Sequence, residues 1–331
     1  MSSPRALLLA ALASAALSLS PGTARAQRAL SMATLAPSGS LPMRVFDAMN
    51  RELRRRTAAG VAFRWYGGGI QGDESEVVRK IRSGRLDGAA LSATGLAQVF
   101  RPVLAFQLPA VFRTPEGFIR AFTALRPELE AGFERAGFTI LSLSPATGPR
   151  MFSTREIRTP EDLRAARPWR WPDDPILPEL YAATGATGVP LALPEVLGAL
   201  QTRRVDTVFA PPAAAIALQW SGQVRYMSER PSSGSMAAMV LSRRAAQSLT
   251  PAQRATIGEV IAQASAIYRP AFLRADGDAV RALERRGVRA VPLTEPERQR
   301  WTAVFARVRS RVAATLPDPA WLQRVQAAGG E

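Results

Sequence analysis

The sequence predicts an α/β protein of two lobes whose chain passes between them more than once, with a long helix in its C-terminal half. Three observations carry that expectation. With an N-terminal leader set aside, roughly 305 residues remain, enough for two units of ordinary domain size. A helix-strand unit then occurs twice. Ser75-Glu76-Val77-Val78 leads through a helix to Arg85-Leu86-Asp87-Gly88-Ala89-Ala90, and Pro194-Glu195-Val196-Leu197 leads to Arg204-Val205-Asp206-Thr207-Val208-Phe209, with the same Glu-to-Asp interval. Finally, no low-complexity linker splits the chain, so the lobes are expected to interleave through crossover hinge strands.

The elements follow in order. Residues 29–35 read as a first strand, and residues 43–56 as a helix with Val45, Met49 and Leu53 on one face. Residues 61–66 alternate as a strand. Gly67, Gly69 and Gly72 then satisfy G-x-G-x-x-G before a helix that begins near Asp73. Taken alone that is a dinucleotide fingerprint, but Asp73 and Glu74 at the helix start would repel a pyrophosphate, so the expected reading is a glycine turn. Gly137 closes a helix and residues 138–144 form the next strand. Thr159, Pro160 and Asp162 read as N-cap, first helical residue and N3 acceptor of a short helix that stops before Pro168. A strand-like Trp169-Arg170-Trp171 follows. Residues 234–241 read as a strand returning between lobes, Thr250 and Pro251 start the long helical region closed by Gly287, and Thr294 with Glu297 forms a capping box.

Composition removes several functional classes. Arg5, the uncharged run 6–20, Pro21 and Ala24-Arg25-Ala26 form the three parts of a secretory signal peptide, so cleavage after Ala26 and a periplasmic mature protein starting at Gln27 are expected. The apolar run is shorter than the roughly 20 residues of a spanning helix. Cysteine and histidine are both absent from the chain, which excludes the common zinc, haem and iron-sulfur ligand sets and His-assisted nucleophiles. Asp173 and Asp174 are neighbours on an extended segment and point to opposite faces, so they do not make a catalytic carboxylate pair. No enzyme activity, cofactor or metal is expected. The net charge of +16 falls to +14 when Arg5 and Arg25 leave with the leader. Nucleic acid is not the expected partner, because Lys80 is the only lysine and the arginines are scattered among Asp and Glu; a field favouring anionic ligands is.

The most informative stretch runs from Gly148 to Asp174, GPRMFSTREIRTPEDLRAARPWRWPDD, with Arg150 and Arg170 on either side of the short helix. An arginine between two indoles holds a planar fork of donors matched to a carboxylate. This block, together with Pro194-Glu195-Val196, Ala199-Leu200-Gln201-Thr202 and Val205-Asp206, resembles the solute receptors of TRAP (tripartite ATP-independent periplasmic) transporters, the DctP family. The resemblance implies a periplasmic-binding-protein-like (type II) fold, with residues 27–146 plus 232–262 in lobe one and residues 147–231 plus 263–331 in lobe two. It also implies a monomer that binds a small organic acid in the interlobe cleft and delivers it to a membrane permease. Arg170 falls on the family's carboxylate-clamping arginine and Arg150 on its second, more variable one. Ser92, Thr94, Trp171, Leu193, Phe209 and Ala210 fall at the strand ends and loops that face ligand in such receptors. One departure stands out: Phe209-Ala210-Pro211 lacks the asparagine the family commonly places before the proline. With Leu193 nearby, a ligand with an apolar or aromatic body is expected.

Overall fold

The computed structural model describes residues 28–56 and 60–330, so the expected signal peptide and its expected cleavage after Ala26 lie outside the described residues. The chain opens with β1 (Arg28–Thr34), α1 (Leu41–Arg56), β2 (Val61–Tyr66), α2 (Glu74–Arg82), β3 (Gly88–Ser92), α3 (Ala93–Val99), α4 (Pro115–Arg135) and β4 (Phe138–Ala146). β1 pairs in parallel with β2 and with β3. Parallel strands joined by helices must be covered on both faces, and the residues comply. Leu30 and Met32 of β1 are sealed under Val45, Phe46, Met49 and Leu53 of α1, while Ala33 faces a second core with Val77, Val78 and Ile81 of α2. Each such side chain contributes about 1.5–3 kcal/mol when fully buried.

Lobe two follows as β5 (Arg150–Ser153), α5 (Pro160–Arg164), β6 (Trp169–Arg170), α6 (Leu177–Thr184), β7 (Val189–Pro190), α7 (Val196–Gln201), β8 (Thr207–Ala210), α8 (Pro212–Ala217) and β9 (Tyr226–Ser228). The chain then returns as β10 (Ser235–Ser242), which inserts antiparallel between β3 and β4 and completes the lobe-one sheet in the order β2-β1-β3-β10-β4. After α9 (Arg243–Gln247) come α10 (Pro251–Arg285), β11 (Arg289–Val291), α11 (Glu295–Ala313) and α12 (Trp321–Gly329). The lobe-two sheet runs β11-β9-β5-β8, and the β6-β7 pair joins it through a bridge between Pro168 and Thr207.

The repeated helix-strand unit is matched in three dimensions. Asp87 accepts hydrogen bonds from the backbone and hydroxyl of Ser31 on β1, at 2.9 and 2.8 Å. Asp206 accepts from the backbone of Arg167 just before β6, at 2.8 Å, and from the Thr207 hydroxyl. Each buried or half-buried carboxylate therefore ties the start of one parallel strand to its neighbour. The turns before them coincide as well: Gly84 N donates to Ile81 O and Leu86 N to Lys80 O, as Arg203 N does to Leu200 O and Val205 N to Ala199 O.

α10 is common to both lobes. Its start is fixed by the capping box of Thr250 and Gln253. Ile257, Val260, Ile261 and Ala264 pack into lobe one and Leu283 into lobe two, with Pro270 in the helix interior between them. The expected boundary between 262 and 263 thus falls inside one continuous helix. The grouping of 263–331 with lobe two also needs correction at its end. α11 does pack on α6 of lobe two, but α12 packs on α4 of lobe one, where Trp321 is buried and donates its indole N–H to Pro102 O at 2.8 Å. A tryptophan with an apolar slot and an acceptor in lobe one settles the position of that helix.

Candidate functional site

The two lobes meet along a cleft at the C-terminal ends of β6, β7 and β8 and the start of α2. In lobe one, the turn with Gly68, Gly69 and Gly72 at positive φ delivers Asp73 and Glu74 to the cleft. Asp73 Oδ1 accepts a hydrogen bond across the cleft from Leu193 N at 3.1 Å. Gln98 Nε2 donates to Asp173 O at 3.1 Å, and Arg79 reaches the Asp173 carboxylate at 4.0 Å. Gly69 lies against the Pro194 ring, and Leu35, like Trp171, packs against the lobe-two core. These contacts hold the lobes shut. Between them remains a cavity of about 10 Å³ lined by Asp73, Glu74, Ser75, Thr94, Gln98, Trp171, Pro172 and Asp173, at the threshold for a single water.

The electrostatics of this wall are acidic. Burial pushes the Asp73 carboxyl up, its bond from Leu193 N opposes that, and the nearby Glu195 and Asp173 add to the rise. Glu74 is buried, which pushes its carboxyl up, while donors from Ser92 and Gly95 pull it down.

Arg170 ends β6 on the lobe-two side. It is half-buried, and its Nη1 donates to Trp171 O at 3.0 Å and Pro172 O at 2.8 Å, so the guanidinium is folded back on its own chain. Its stem runs beside Gly188, where a Cβ would stand 3.2 Å from Arg170 Cδ. No ion pair to Arg170 exists among the described residues. Asp174 feels its field, but that carboxylate is engaged by Ile176 N and Leu177 N, both at 2.7 Å, and starts α6.

Arg150 goes elsewhere. It pairs with Ala210 across β5 and β8, on the face that carries Phe152, Val208 and Trp169 into the lobe-two core. Arg170 follows Trp169 directly and so takes the opposite face. Arg150 Nη1 donates to the carbonyls of Ser228 (2.9 Å) and Glu229, and its Nε is buried with no partner among the described residues. Burial pushes this guanidinium below its ordinary range, against the favourable fields of Asp276, Glu284 and Glu229. Among the described residues the two arginines share no hydrogen-bonding partner.

Of the other residues expected at the site, Thr94 and Trp171 line the cavity together. Ser92 is next to it, but its hydroxyl is spent on Glu74 at 2.5 Å. Leu193 is buried and contributes its backbone N–H to the cross-lobe bond. Phe209 is half-buried against the larger core and Ala210 is buried in the lobe-two core. Gln98 was not singled out as a cleft residue by the sequence. Gln98 lies four residues after Thr94 on α3, which puts both on one helix face.

Solved structures share this architecture. A TRAP periplasmic solute-binding protein of Ralstonia eutropha H16 with bound (S)-2-acetolactate superposes with a TM-score of 0.81 at 19% identity, covering 91% of this chain and 98% of that one. An extracytoplasmic solute receptor of Bordetella pertussis binding pyroglutamic acid gives 0.80 at 18% identity, covering 92% and 99%. The sugar acid binding protein of Advenella mimigardefordensis strain DPN7T in complex with galactonate gives 0.83 at 15% identity, covering 92% and 98%. The family profile of bacterial extracellular solute-binding proteins, family 7, matches residues 32–315, and the chain belongs to this family, DctP, whose members are receptors and not enzymes.

Proposed function

We propose that this chain captures a small organic acid between its lobes in the periplasm, after cleavage at Ala26, and hands it as a monomer to a TRAP-type membrane permease. Arg170 receives the carboxylate. The observation that carries this reading is a half-buried guanidinium at the cleft end of β6 whose hydrogen bonds among the described residues go only to the carbonyls of Trp171 and Pro172. Half-buried arginine is stabilised by an anion, and its fork matches a carboxylate with two charged hydrogen bonds worth about 1.5–3 kcal/mol each. Acetolactate, pyroglutamic acid and galactonate, bound by structurally similar proteins, are all acids of this size.

Loading requires the lobes to part, because the cavity beside Thr94 and Trp171 measures about 10 Å³ and Arg170 must turn from its carbonyls. Thr94 and Trp171 then form the opposing walls, with Ser92 and Leu193 at their edges. Phe209 and Ala210 favour a ligand whose body is apolar or aromatic, and Arg150 acts through its field from the far face of the sheet. Ligand contacts to both lobes favour the closed state. Arg170→Ala is expected to lower affinity for the acid at least tenfold in calorimetry, with the melting temperature near wild type. Unchanged affinity removes the clamp. The ligand itself is to be read by native mass spectrometry of protein purified from its own host; a neutral apolar molecule in place of an acid would favour a hydrophobic-ligand receptor.

A further inference from the structure

The pole of lobe two farthest from the cleft carries a row of arginines that ligand capture does not use. Continuous backbone bonds build it: Arg289 N donates to Arg225 O, Arg225 N to Ser153 O, Thr154 N to Asp206 O, and Asp206 N to Arg167 O. Arg289, Arg225, Arg155, Arg204 and Arg167 therefore stand at the ends of β11, β9, β5, β8 and β6, neighbouring strands spaced by about 4.8 Å. All five are exposed. The turn before β11 adds Arg285 and Arg286, and the turn before β8 adds Arg203.

Counter-charge is sparse there. The buried Asp206 meets Arg155 and Arg167 at 3.4 and 3.5 Å, whereas Glu156 and Glu161 on the same loops turn to Arg158 and Arg300. Arg204, Arg225 and Arg289 make no side-chain hydrogen bond or ion pair among the described residues. At the corresponding pole of lobe one, Arg243 meets Glu134, and Arg55 and Arg56 meet Glu52.

Backbone strain also falls here, as it does at Ala110 and Gln219 elsewhere. Arg203 has φ 58°, a left-handed conformation that favours glycine, and its counterpart in the lobe-one repeat is Gly84 at φ 78°. One copy of the turn fills the position with the residue it suits and the other with an exposed arginine. Strain of this kind is retained where the side chain has work outside the fold.

We infer that this arginine row is a docking surface for the anionic headgroups of a phospholipid bilayer. The chemistry selects lipid over protein. Stable protein interfaces have an aromatic or apolar centre, and the large exposed apolar side chains among the described residues, Ile70, Ile119, Ile267 and Phe272, lie elsewhere. A strip of exposed arginines, three of them unpaired among the described residues and with no apolar centre, suits a diffuse, mobile sheet of negative charge. Docking at this pole leaves the cleft facing away from the bilayer contact.

The test is flotation of the mature protein, without added ligand, on vesicles of phosphatidylglycerol in phosphatidylethanolamine and on vesicles of phosphatidylcholine alone. Retention is expected on the first only, and it should vanish at about 0.5 M salt. The combined variant Arg203→Gly, Arg204→Ser, Arg225→Ser and Arg289→Ser should lose at least tenfold in retention. A charge-matched variant, Arg51→Ser, Arg54→Ser, Arg269→Ser and Arg274→Ser, should stay within about twofold of wild type. Arg203→Gly alone should raise the melting temperature, which separates the row from folding. Equal loss in both combined variants would reduce the effect to net charge and overturn the proposal. So would no retention on anionic vesicles, or retention only when membrane proteins are included, which would assign the row to an acidic protein.

Discussion

Glu74 takes three donors with one buried carboxylate: Ser92 N at 2.6 Å, the Ser92 hydroxyl at 2.5 Å and Gly95 N at 2.8 Å. Those groups form the first turn of α3, so the acid satisfies N–H groups that have no partner within the helix and meets the positive end of its dipole. Gly95 makes the approach possible, since a Cβ there would lie 2.8 Å from Glu74 Cβ, Cδ and Oε2. Gly95→Ala is expected to cost about 1–3 kcal/mol through overpacking, read as a lower urea midpoint with an unchanged slope. A variant as stable as wild type would mean that the carboxylate is free to move. The motif left this residue ambiguous: an acidic residue opening a helix after a glycine turn signals a start, but nothing in the sequence says that the next helix but one strand will deliver its own N-terminus to it.

At the scale of elements, Arg158 joins the loop before α5 to the start of α11. Its Nε and Nη2 hold Glu297 at 2.7 and 3.0 Å, Nη2 also donates to Pro292 O, and Trp301 donates its indole N–H back to Arg158 O. Glu297 also accepts from Thr294 N, closing the α11 capping box. Together these donors lower its carboxyl from 4.5 to about 2. A folded-state value below the unfolded one makes the contribution complete above pH 4.5 and removes it as pH falls toward 2. Glu297→Gln should therefore flatten the part of the acid-unfolding curve that lies in that window, measured by circular dichroism against wild type; an unchanged curve would show that the pair does not hold its geometry in solution.

The caps of α5 and α11 were legible because each rests on residues three apart, the start of α10 because Thr250 stands directly before Pro251, and the repeat because its spacing is local. The seat of α12 and the orientation of the two arginines were not. The first depends on a slot built by residues about two hundred positions away. The second depends on which face of β5 and β6 enters the core, a choice made by Phe152 and Trp169 rather than by the motif around Arg150 and Arg170.

For the whole molecule, the bonds that bridge the lobes beside the cleft cavity are Asp73 with Leu193 N and Gln98 with Asp173 O, both at 3.1 Å. Each is worth about 1 kcal/mol net, roughly a fivefold change in the open-closed ratio. Asp73→Ala combined with Gln98→Ala should enlarge the radius of gyration of the ligand-free protein in small-angle scattering, and added ligand should shrink it again. A radius unaffected by both substitutions would mean that the apolar contacts at Gly69, Pro194 and Leu35 suffice. The cleft as a whole was foreseen from the doubled helix-strand unit, yet the side chains of Asp73 and Gln98 that latch it were not, since the sequence pairs neither of them with its partner.

α10 has a last implication. Its N-terminal half is flooring for one lobe and its C-terminal half for the other, so neither lobe owns a finished surface without it. Fragments produced by severing the chain near Pro270 would each expose a bare apolar stripe, and the way back to a working receptor would be reassembly of the pieces, not independent folding.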